Sequence, residues 1–403
     1  MSDCAVPGRT IVLPSHYEVR EYEGSIAEQI GMNFHFDYSL DHVIGRYLPE
    51  SARHERYERF GPLPQIAKIP EGAEAEASAR LAALKHFRAA MPDFLVRPLA
   101  AVNPNAVSIA YAISKICCHP GCHTEGEGCT IAVLDTGIEP SALTHGSAVH
   151  GIQYDVRTPG DTGSPPKDAR GHGTLVAYIA NAIAPKARII SIKTIHHTGF
   201  TSDVLAGMYL SQIVGPADIL NLSLRVSCQA ELCRVCRASL RGTTNAEQLQ
   251  LFYKAFQAGA PEAILVAAAG NGCRNVAFPA AIAGVVAVGE FDHMRAQPIS
   301  LFDEVPADRF VLAPGGRDDF AGGFGWRQGH AGAVHEHGSS YAAAFVSGAA
   351  ALYVACDRSH ASPFRSGSRP LVEDFLEYLG PRCDRAWPGY DPASHGVGAL
   401  TSS

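Results

Sequence analysis

Six short runs rich in Val, Ile and Leu, separated by longer segments of helical period, dominate the chain from about residue 107 onward. The runs are TIAVLD (130–135), ARIISIKTI (187–195), DILNLSL (218–224), AILVAAAG (263–270), GVVAVGEF (284–291) and RFVLAPG (309–315). Helical candidates cover residues 172–183, 202–213, 244–259 and 340–355. Nearly continuous apolar strands joined by helices are typical of a parallel sheet covered on both faces. We therefore predict an α/β fold with a doubly wound, mostly parallel sheet.

Residues 1–106 lack this alternation and form a separate predicted domain. Ala, Leu and Phe recur at helical spacing over AEAEASARLAALKHFRAAM (73–91), which predicts a helix there. Short aromatic-rich segments surround that stretch, so we expect a smaller α+β region. The break falls near PLAAVNPNA (98–106), and the second predicted domain covers residues 107–403. Within it, the glycine-rich stretch 315–332 predicts a long surface loop.

The composition is that of a folded, enzyme-sized chain. Of 403 residues, 46% are hydrophobic and 18% are charged, and the formal net charge of -7 argues against nucleic acid as a partner. The first thirty residues lack a basic region followed by an apolar run. No stretch has the length and apolarity expected of a membrane span. We therefore expect a cytoplasmic protein without a membrane partner.

Polar residues stand where predicted strands end and predicted helices begin. Asp135 ends TIAVLD, Asn271 follows ILVAAAG, and His172 and Ser340 each lie at the start of a predicted helix. In an open α/β sheet, ligands bind outside the carboxyl ends of the strands. Acyl transfer needs a nucleophile, a base, a carboxylate that orients the base, and donors for the developing oxyanion. Each residue alone fits an ordinary turn or helix cap, but the four together favour a serine hydrolase.

The order Asp, His, Asn, Ser resembles the subtilisin-like (S8) serine peptidases. The matching motifs are Asp135-Thr136-Gly137, His172-Gly173-Thr174 and Gly338-Ser339-Ser340, together with GFTSDVLAGM (199–208), DILNLSL (218–224), AAAGN (267–271) and HGVGAL (395–400). The resemblance covers about residues 107–400. It implies a serine endopeptidase that hydrolyses protein or peptide substrates through an acyl-enzyme.

The resemblance also implies a role for each site residue. Ser340 would be the nucleophile, with Ser339 as a short polar cap beside it. His172 would be the general base and then the general acid, and Asp135 the carboxylate that orients it. Asn271 and the Ser340 backbone N–H would bind the oxyanion. The implied substrate-binding residues are Ser223, Leu224, Arg225, Ala268 and Gly270.

Two alternatives stay open on function. The first concerns activity, because a catalytically silent chain could keep this fold as a peptide-binding or scaffolding module. The second concerns Arg225, which stands where the family commonly has glycine. It is either a solvated arginine at a strand end or a residue that favours an acidic side chain in the bound peptide.

The N-terminal region also has two possible roles. By resemblance, residues 1–106 form either a propeptide that fills the cleft until it is cut or a permanent regulatory domain. We expect no cofactor.

The cysteines raise the question of metal binding. Eleven cysteines cannot all pair internally, and two groups, CCHPGCHTEGEGC (117–129) and CQAELCRVC (228–236), contain enough Cys and His to bind zinc. Their spacing matches no standard zinc module, so disulfides or reduced thiols are the favoured interpretation. Calcium is common in the family, but no acidic loop here marks a site.

Overall fold

A computed structural model of the chain describes residues 5–39, 43, 58–98, 101–103, 106–107, 124–143, 149–157, 168–196, 198–213, 215–227, 244–271, 274–292, 297–299, 302–315, 323–326, 334–359, 371–387 and 389–400. The strands are β1 (Ala5–Pro14), β2 (His35–Ser39), β3 (Gln65–Lys68), β4 (Phe87–Pro98), β5 (Ala101–Asn103), β6 (Ala106–Val107), β7 (Thr130–Asp135), β8 (Val149–Asp155), β9 (Arg188–Lys193), β10 (Gly199–Phe200), β11 (Ile219–Leu222), β12 (Leu224–Ser227), β13 (Ile264–Ala268), β14 (Val285–Asp292), β15 (Gln297–Pro298), β16 (Phe310–Pro314), β17 (Gly323–Trp326), β18 (Val334–His337), β19 (Cys383–Asp384) and β20 (Ala399–Leu400). The helices are α1 (Glu23–Ile30), α2 (Glu74–Ala82), α3 (His172–Ile183), α4 (Thr201–Ile213), α5 (Thr244–Gly259), α6 (Ser339–Ser359), α7 (Leu371–Leu379) and α8 (Pro392–His395).

The second part of the chain is built around a large, mostly parallel sheet. Across it the strands run β8, β9, β7, β11, β13, β14, β16, β20 and β19, and β15 pairs with β14. Neighbours from β8 to β20 are parallel, whereas β15 and β19 pair antiparallel with β14 and β20. Each of the six apolar runs of the sequence contributes a strand to this sheet. The sheet confirms the predicted fold class.

Alternate residues of the strands face two different helical layers. In β7, Ile131 and Val133 pack in a cluster with α3 and α6, whereas Ala132 and Leu134 pack in a cluster with α4 and α5. Successive side chains of a strand point to opposite faces of the sheet, so both faces of an entirely apolar strand are buried. The predicted helices 172–183 and 244–259 have the bounds of α3 and α5.

Helix α6 corrects one expectation about membranes. The segment Ser339–Asp357 is long and apolar enough to cross a membrane, with a mean hydropathy of 1.4, although no such stretch was expected from the sequence. However, 89% of this segment is buried inside the fold. Small residues such as Ala342 and Ala343 let α6 pack closely against the sheet and α3. The apolarity of α6 is therefore that of a core helix.

The N-terminal region has the predicted α+β character. Its antiparallel sheet has the order β4, β1, β3, β2, and one helix follows β1 and another follows β3. Val12 and Ala90 pack in a cluster with α1 and α2, whereas Ile11, Leu13 and Met91 face the second part of the chain and share its core. Each face of this small sheet is therefore covered.

The predicted helix over 73–91 was wrong in its second half. Helix α2 ends at Ala82, and the chain then turns and forms strand β4 from Phe87. Ala89, Ala90 and Met91 mimic helical spacing, but they are buried on both faces of a strand that pairs with β1. This non-local pairing overrides the local helical preference of alanine.

A third, smaller sheet lies beside the large one. It has four strands in the order β5, β18, β17, β6. Strand β17 falls inside the stretch 315–332 that we predicted to be a surface loop, so that prediction was wrong for these four residues. Glycine weakens the strand signal in the sequence, yet β17 pairs antiparallel with β18 and parallel with β6.

The N-terminal region is anchored to the second part by an aromatic side chain. Phe60 packs against Tyr209 of α4 and Phe256 of α5, with ring centroids 5.1 and 5.9 Å apart. A Cβ atom on Gly259, at the end of α5, would lie 2.1 Å from the Phe60 ring, so glycine makes this close approach possible. The two parts therefore share one continuous hydrophobic core.

A buried ionic cluster also joins the two parts. Asp93 of β4 is fully buried and pairs with Arg9 of β1 at 2.9 Å. Its carboxylate also accepts hydrogen bonds from the backbone N–H and the hydroxyl of Ser202, in the first turn of α4, at 3.1 and 2.8 Å. Burial raises the pKa of Asp93 to about 6, against the lowering effect of Arg9 and of the Ser202 hydrogen bonds; Asp203 nearby raises it further.

Stability should therefore fall as pH rises through the range in which Asp93 ionises. Between about pH 4 and pH 6, Asp93 is ionised in the unfolded chain but still protonated in the folded chain. A rise in pH across this range therefore lowers the free energy of unfolding. Relative to Asp93→Asn, which stays neutral, the wild type should lose on the order of 3 kcal/mol across this range. Urea unfolding of both proteins from pH 4 to pH 7.5 measures the difference, with exposed Asp308→Asn as control. Parallel profiles for wild type and Asp93→Asn would contradict it.

Candidate functional site

Asp135 and His172 form a buried pair at the carboxyl edge of the large sheet. Asp135 ends β7, His172 begins α3, and His172 Nδ1 lies 2.7 Å from Asp135 Oδ1. The same oxygen accepts a hydrogen bond from the Thr136 backbone N–H at 2.7 Å. A carboxylate can only accept, so Nδ1 carries the proton and the other ring nitrogen is left as the basic one. A Cβ on Gly173 would lie 2.3 Å from the Gly137 carbonyl oxygen, which explains a glycine at that position.

Asp168 positions this pair, and the sequence analysis missed it. Its buried carboxylate accepts hydrogen bonds from the Thr136 hydroxyl at 2.8 Å and from the Thr174 hydroxyl at 2.6 Å. It also accepts from the backbone N–H groups of Gly171 and Thr174, at 2.9 Å each. These bonds tie the turn after β7 to the first turn of α3. An aspartate shortly before a predicted helix start is the signal that could have indicated this role.

Ser340 is the second residue of α6 and is fully buried. Its hydroxyl donates a hydrogen bond to the Ser223 backbone carbonyl oxygen at 3.1 Å. The next side chain, Tyr341, packs against the His172 ring with centroids 5.6 Å apart. The first turns of α3 and α6, which contain His172 and Ser340, are therefore neighbours. Backbone N–H groups in the first turn of α6 have no partner within the helix and can bind a negative charge.

Asn271 is oriented by Ser339. Its side-chain oxygen accepts hydrogen bonds from the Ser339 backbone N–H at 2.9 Å and from the Ser339 hydroxyl at 2.8 Å. The Gly270 backbone N–H donates to the Ser339 hydroxyl oxygen at 3.1 Å. With the amide oxygen held in this way, the amide NH₂ group is the side that donates to other groups. Ser339 therefore orients an amide and is not the helix cap that the sequence suggested.

The residues predicted to bind substrate lie on two neighbouring segments. Ser223 and Leu224 are buried, and Leu224 begins β12 with Arg225 as its second residue. The Ser223 hydroxyl contacts the Ser340 carbonyl oxygen at 2.8 Å. Ala268 ends β13, and Gly270 has a φ of 123°, a left-handed backbone conformation that favours glycine. Of these residues, Ser223 is hydrogen-bonded to Ser340, and Gly270 directly precedes Asn271 in the chain.

The N-terminal region lies in this site. The end of β4 is inserted between β10 and β12 and pairs antiparallel with both, so Val96 is opposite Gly199 on one side and Val226 on the other. Beyond it, β5 pairs antiparallel with β18, with Ala101 opposite His337. Strand β12 leads away from the Ser223 carbonyl that holds Ser340, and β18 leads toward Ser340. Pro98 and Ala101 therefore pair with the two strands that adjoin Ser223 and Ser340 in sequence.

Within the described ranges, no three His, Cys, Asp or Glu side chains come together in a way that could hold a metal ion. Cys129, the last residue of the group 117–129, is a buried thiol. The other Cys and His residues of the group 117–129 that was considered for zinc lie outside the described residues, as does all of the group 228–236.

The region that contains the site matches a known protein family. A family model described as the subtilase family, peptidase S8, matches residues 126–363, which is more than half of the chain. The chain belongs to the subtilase family. The match begins shortly before β7 and ends after α6, so it includes Asp135, His172, Asn271 and Ser340.

Two curated relatives match more than half of this subtilase. Alkaline elastase YaB of Bacillus sp. (strain YaB) is 29% identical over 245 residues, which cover 56% of this chain and 54% of the relative. Subtilisin-like protease 3 of Pseudogymnoascus destructans is 28% identical over 248 residues, which cover 59% of this chain and 55% of the relative. The chain thus spans about half the length of the curated relatives it matches.

Solved structures share the fold of this subtilase. Fervidolysin from Fervidobacterium pennivorans, described as a keratinolytic enzyme related to subtilisin, aligns with a TM-score of 0.61 at 16% identity. The alignment covers 98% of this chain and 60% of fervidolysin. A lanthipeptide protease aligns with a TM-score of 0.50 at 19% identity. That alignment covers 68% of this chain and 86% of the lanthipeptide protease. At these identities the likeness shows the fold.

Proposed function

We propose that this subtilase is a serine endopeptidase that hydrolyses peptide bonds in protein or peptide substrates through an acyl-enzyme. The observation that carries the proposal is the buried hydrogen bond between Asp135 and His172, beside the start of the helix that bears Ser340. Carboxylate, imidazole and hydroxyl in that order are the groups that activate a serine for acyl transfer.

In the proposed mechanism, His172 takes the hydroxyl proton of Ser340 as Ser340 Oγ attacks the substrate carbonyl carbon. Rotation about the Ser340 Cα–Cβ bond would turn the hydroxyl from the Ser223 carbonyl toward the imidazole. Asp135 holds the ring in the required tautomer and stabilises the imidazolium. His172 then gives the proton to the leaving amine, which leaves an ester on Ser340. A water molecule, deprotonated by His172, attacks that ester and releases the acid product.

The oxyanion of each tetrahedral intermediate would be bound by two donors. One is the Asn271 amide NH₂, whose orientation follows from the two hydrogen bonds that Ser339 makes to the amide oxygen. The other is the Ser340 backbone N–H at the start of α6. Donors that are fixed before the reaction stabilise the developing charge without reorganising.

The pairing of β4 and β5 with neighbouring strands of the second part of the chain supports an endopeptidase mode. Chain segments pair with the walls of the cleft on both sides of Ser340, through β4 with β12 and through β5 with β18. A cleft that accommodates chain on both sides of the serine suits cleavage within a polypeptide. We propose that residues 1–106 act as a propeptide that fills this cleft until it is cut.

The two registers indicate which bond the peptidase would cut first in its own chain. Pro98 is opposite Leu224, and Leu99 is the next residue of the chain. A bound chain that continued this register by one residue would have that residue opposite Ser223, whose carbonyl oxygen accepts the hydrogen bond from Ser340. Counting back from Ala101, which is opposite His337, the preceding residue is Ala100. We therefore propose Leu99–Ala100 as the first bond cut.

Labelling with a fluorophosphonate probe tests the proposed chemistry. The probe should react with wild-type protein that has been incubated to allow self-cleavage, and labelling should require both Ser340 and His172. A catalytically silent, peptide-binding chain would show no labelling that depends on these two residues. That result would overturn the peptidase proposal in favour of the binding module.

A further inference from the structure

Two arginines face each other across the strand pair of β4 and β12. Arg97 is directly opposite Arg225, and both side chains are partly exposed. Residues that are directly opposite in an antiparallel pair have side chains on the same face, with Cβ atoms about 5 Å apart. Val96 and Leu224 alternate with them and are buried on the other face. Like charges in this arrangement weaken the pairing of the two strands.

Arg97 occupies a definable position relative to the bond that we propose is cut. If Leu99 is the first residue before the bond, Pro98 is the second and Arg97 is the third. The third residue is therefore directly opposite Arg225, whereas the second is opposite the buried Leu224. A peptide bound in place of β4 would present its own third side chain to the same guanidinium.

We infer that Arg225 selects substrates with Asp or Glu at the third residue before the cut bond, an inference that rests on the proposed peptidase function. A carboxylate there would replace charge repulsion with a charge-assisted hydrogen bond to the guanidinium. In β4 of this chain the third residue is Arg97, whose charge is opposite to that of a carboxylate. Strand β4 is therefore a poorer occupant of the cleft than a matched substrate, which can displace β4 once the chain has been cut.

Peptides that differ at one position test the selection. Internally quenched peptides with Glu, Ala or Arg at the third position are compared by kcat/KM. A further peptide has Glu at the second position instead of the third, so that its net charge equals that of the third-position Glu peptide. We expect the wild type to cut the third-position Glu peptide about fivefold faster than the Arg peptide, a ratio that corresponds to ~1 kcal/mol of cross-strand pairing. The second-position Glu peptide should show no such gain.

Variants of the arginine separate local pairing from overall charge. Arg225→Ala should remove the preference between Glu and Arg peptides, and Arg225→Glu should reverse it. Lys254→Glu, on an exposed position of α5, makes the same charge change away from the cleft and should keep the wild-type preference. In the full chain, Arg97→Glu should strengthen inhibition by β4, and adding Arg225→Glu should restore wild-type inhibition.

The outcomes distinguish this inference from the proposed function. Equal cutting of the Glu and Arg peptides by the wild type, or an unchanged preference in Arg225→Ala, would overturn the selectivity and leave the peptidase standing. Failure to cut any peptide, together with no labelling of Ser340, would instead overturn the proposed function.

Discussion

Ser340→Ala is expected to lower kcat/KM for peptide hydrolysis by at least about 10⁴-fold and to abolish labelling by a fluorophosphonate. The variant keeps the fold, because alanine fits in a core helix that already contains several alanines. It removes the only atom that can form the acyl-enzyme in the proposed mechanism. Steady-state hydrolysis of a quenched peptide measures the loss, and His172→Ala should cause a loss of similar size.

The neighbouring serine provides the matched control. Ser339→Ala deletes the same atom one residue earlier, but the Ser339 backbone N–H still holds the Asn271 amide oxygen. We expect a partial loss, no more than about tenfold, because one of two orienting hydrogen bonds remains. Equal losses in the two variants would mean that the assignment of the nucleophile is wrong.

Asn271→Ala is expected to lower kcat by about 10²–10³-fold with little change in KM, because the amide acts on charge that develops only in the transition state. Asn271→Asp sharpens the test. Aspartate can still accept the two hydrogen bonds from Ser339, but it offers no NH₂ group to an oxyanion.

Both Asn271 variants should therefore be slow under the proposed role. If Asn271→Asp kept nearly full activity while Asn271→Ala lost it, the asparagine would serve to hold Ser339 and not to bind the oxyanion. Circular dichroism and thermal unfolding of both proteins establish that any loss is not one of folding.

Much of the second part of the fold could be predicted because its strands are buried on both faces. Thr130–Asp135 was predicted with the observed bounds, since a short, continuous apolar run that ends in a polar residue is typical of a buried parallel strand. Helix α3 was equally clear, because apolar residues recur at close spacing from Leu175 to Ile183. In such segments, local pattern and tertiary environment agree.

The N-terminal region and the walls of the cleft depend on pairings that are distant in sequence. Ala89, Ala90 and Met91 fit a helix locally, and only their pairing with β1 makes them part of a strand. The pairing of Arg97 with Arg225 joins segments more than a hundred residues apart. Neither could be predicted from local periodicity.

The residues proposed for the site could be singled out from the sequence, but the hydrogen bonds that support them could not. Asp135, His172, Asn271 and Ser340 each follow a strand or begin a helix, which the pattern of the chain indicated. Asp168 lies in a polar segment without periodicity. Its function comes from five donors that converge on one carboxylate only after folding.

Intact-protein mass spectrometry of the chain during incubation tests the central claim most directly, because under the proposed function the chain would contain its own first substrate. The wild type should convert to two fragments, residues 1–99 and 100–403, while Ser340→Ala stays a single chain of 403 residues. A wild type that stays intact and takes no fluorophosphonate label, or a Ser340→Ala protein that is cut at the same rate, would contradict the account of a serine peptidase that acts through Ser340.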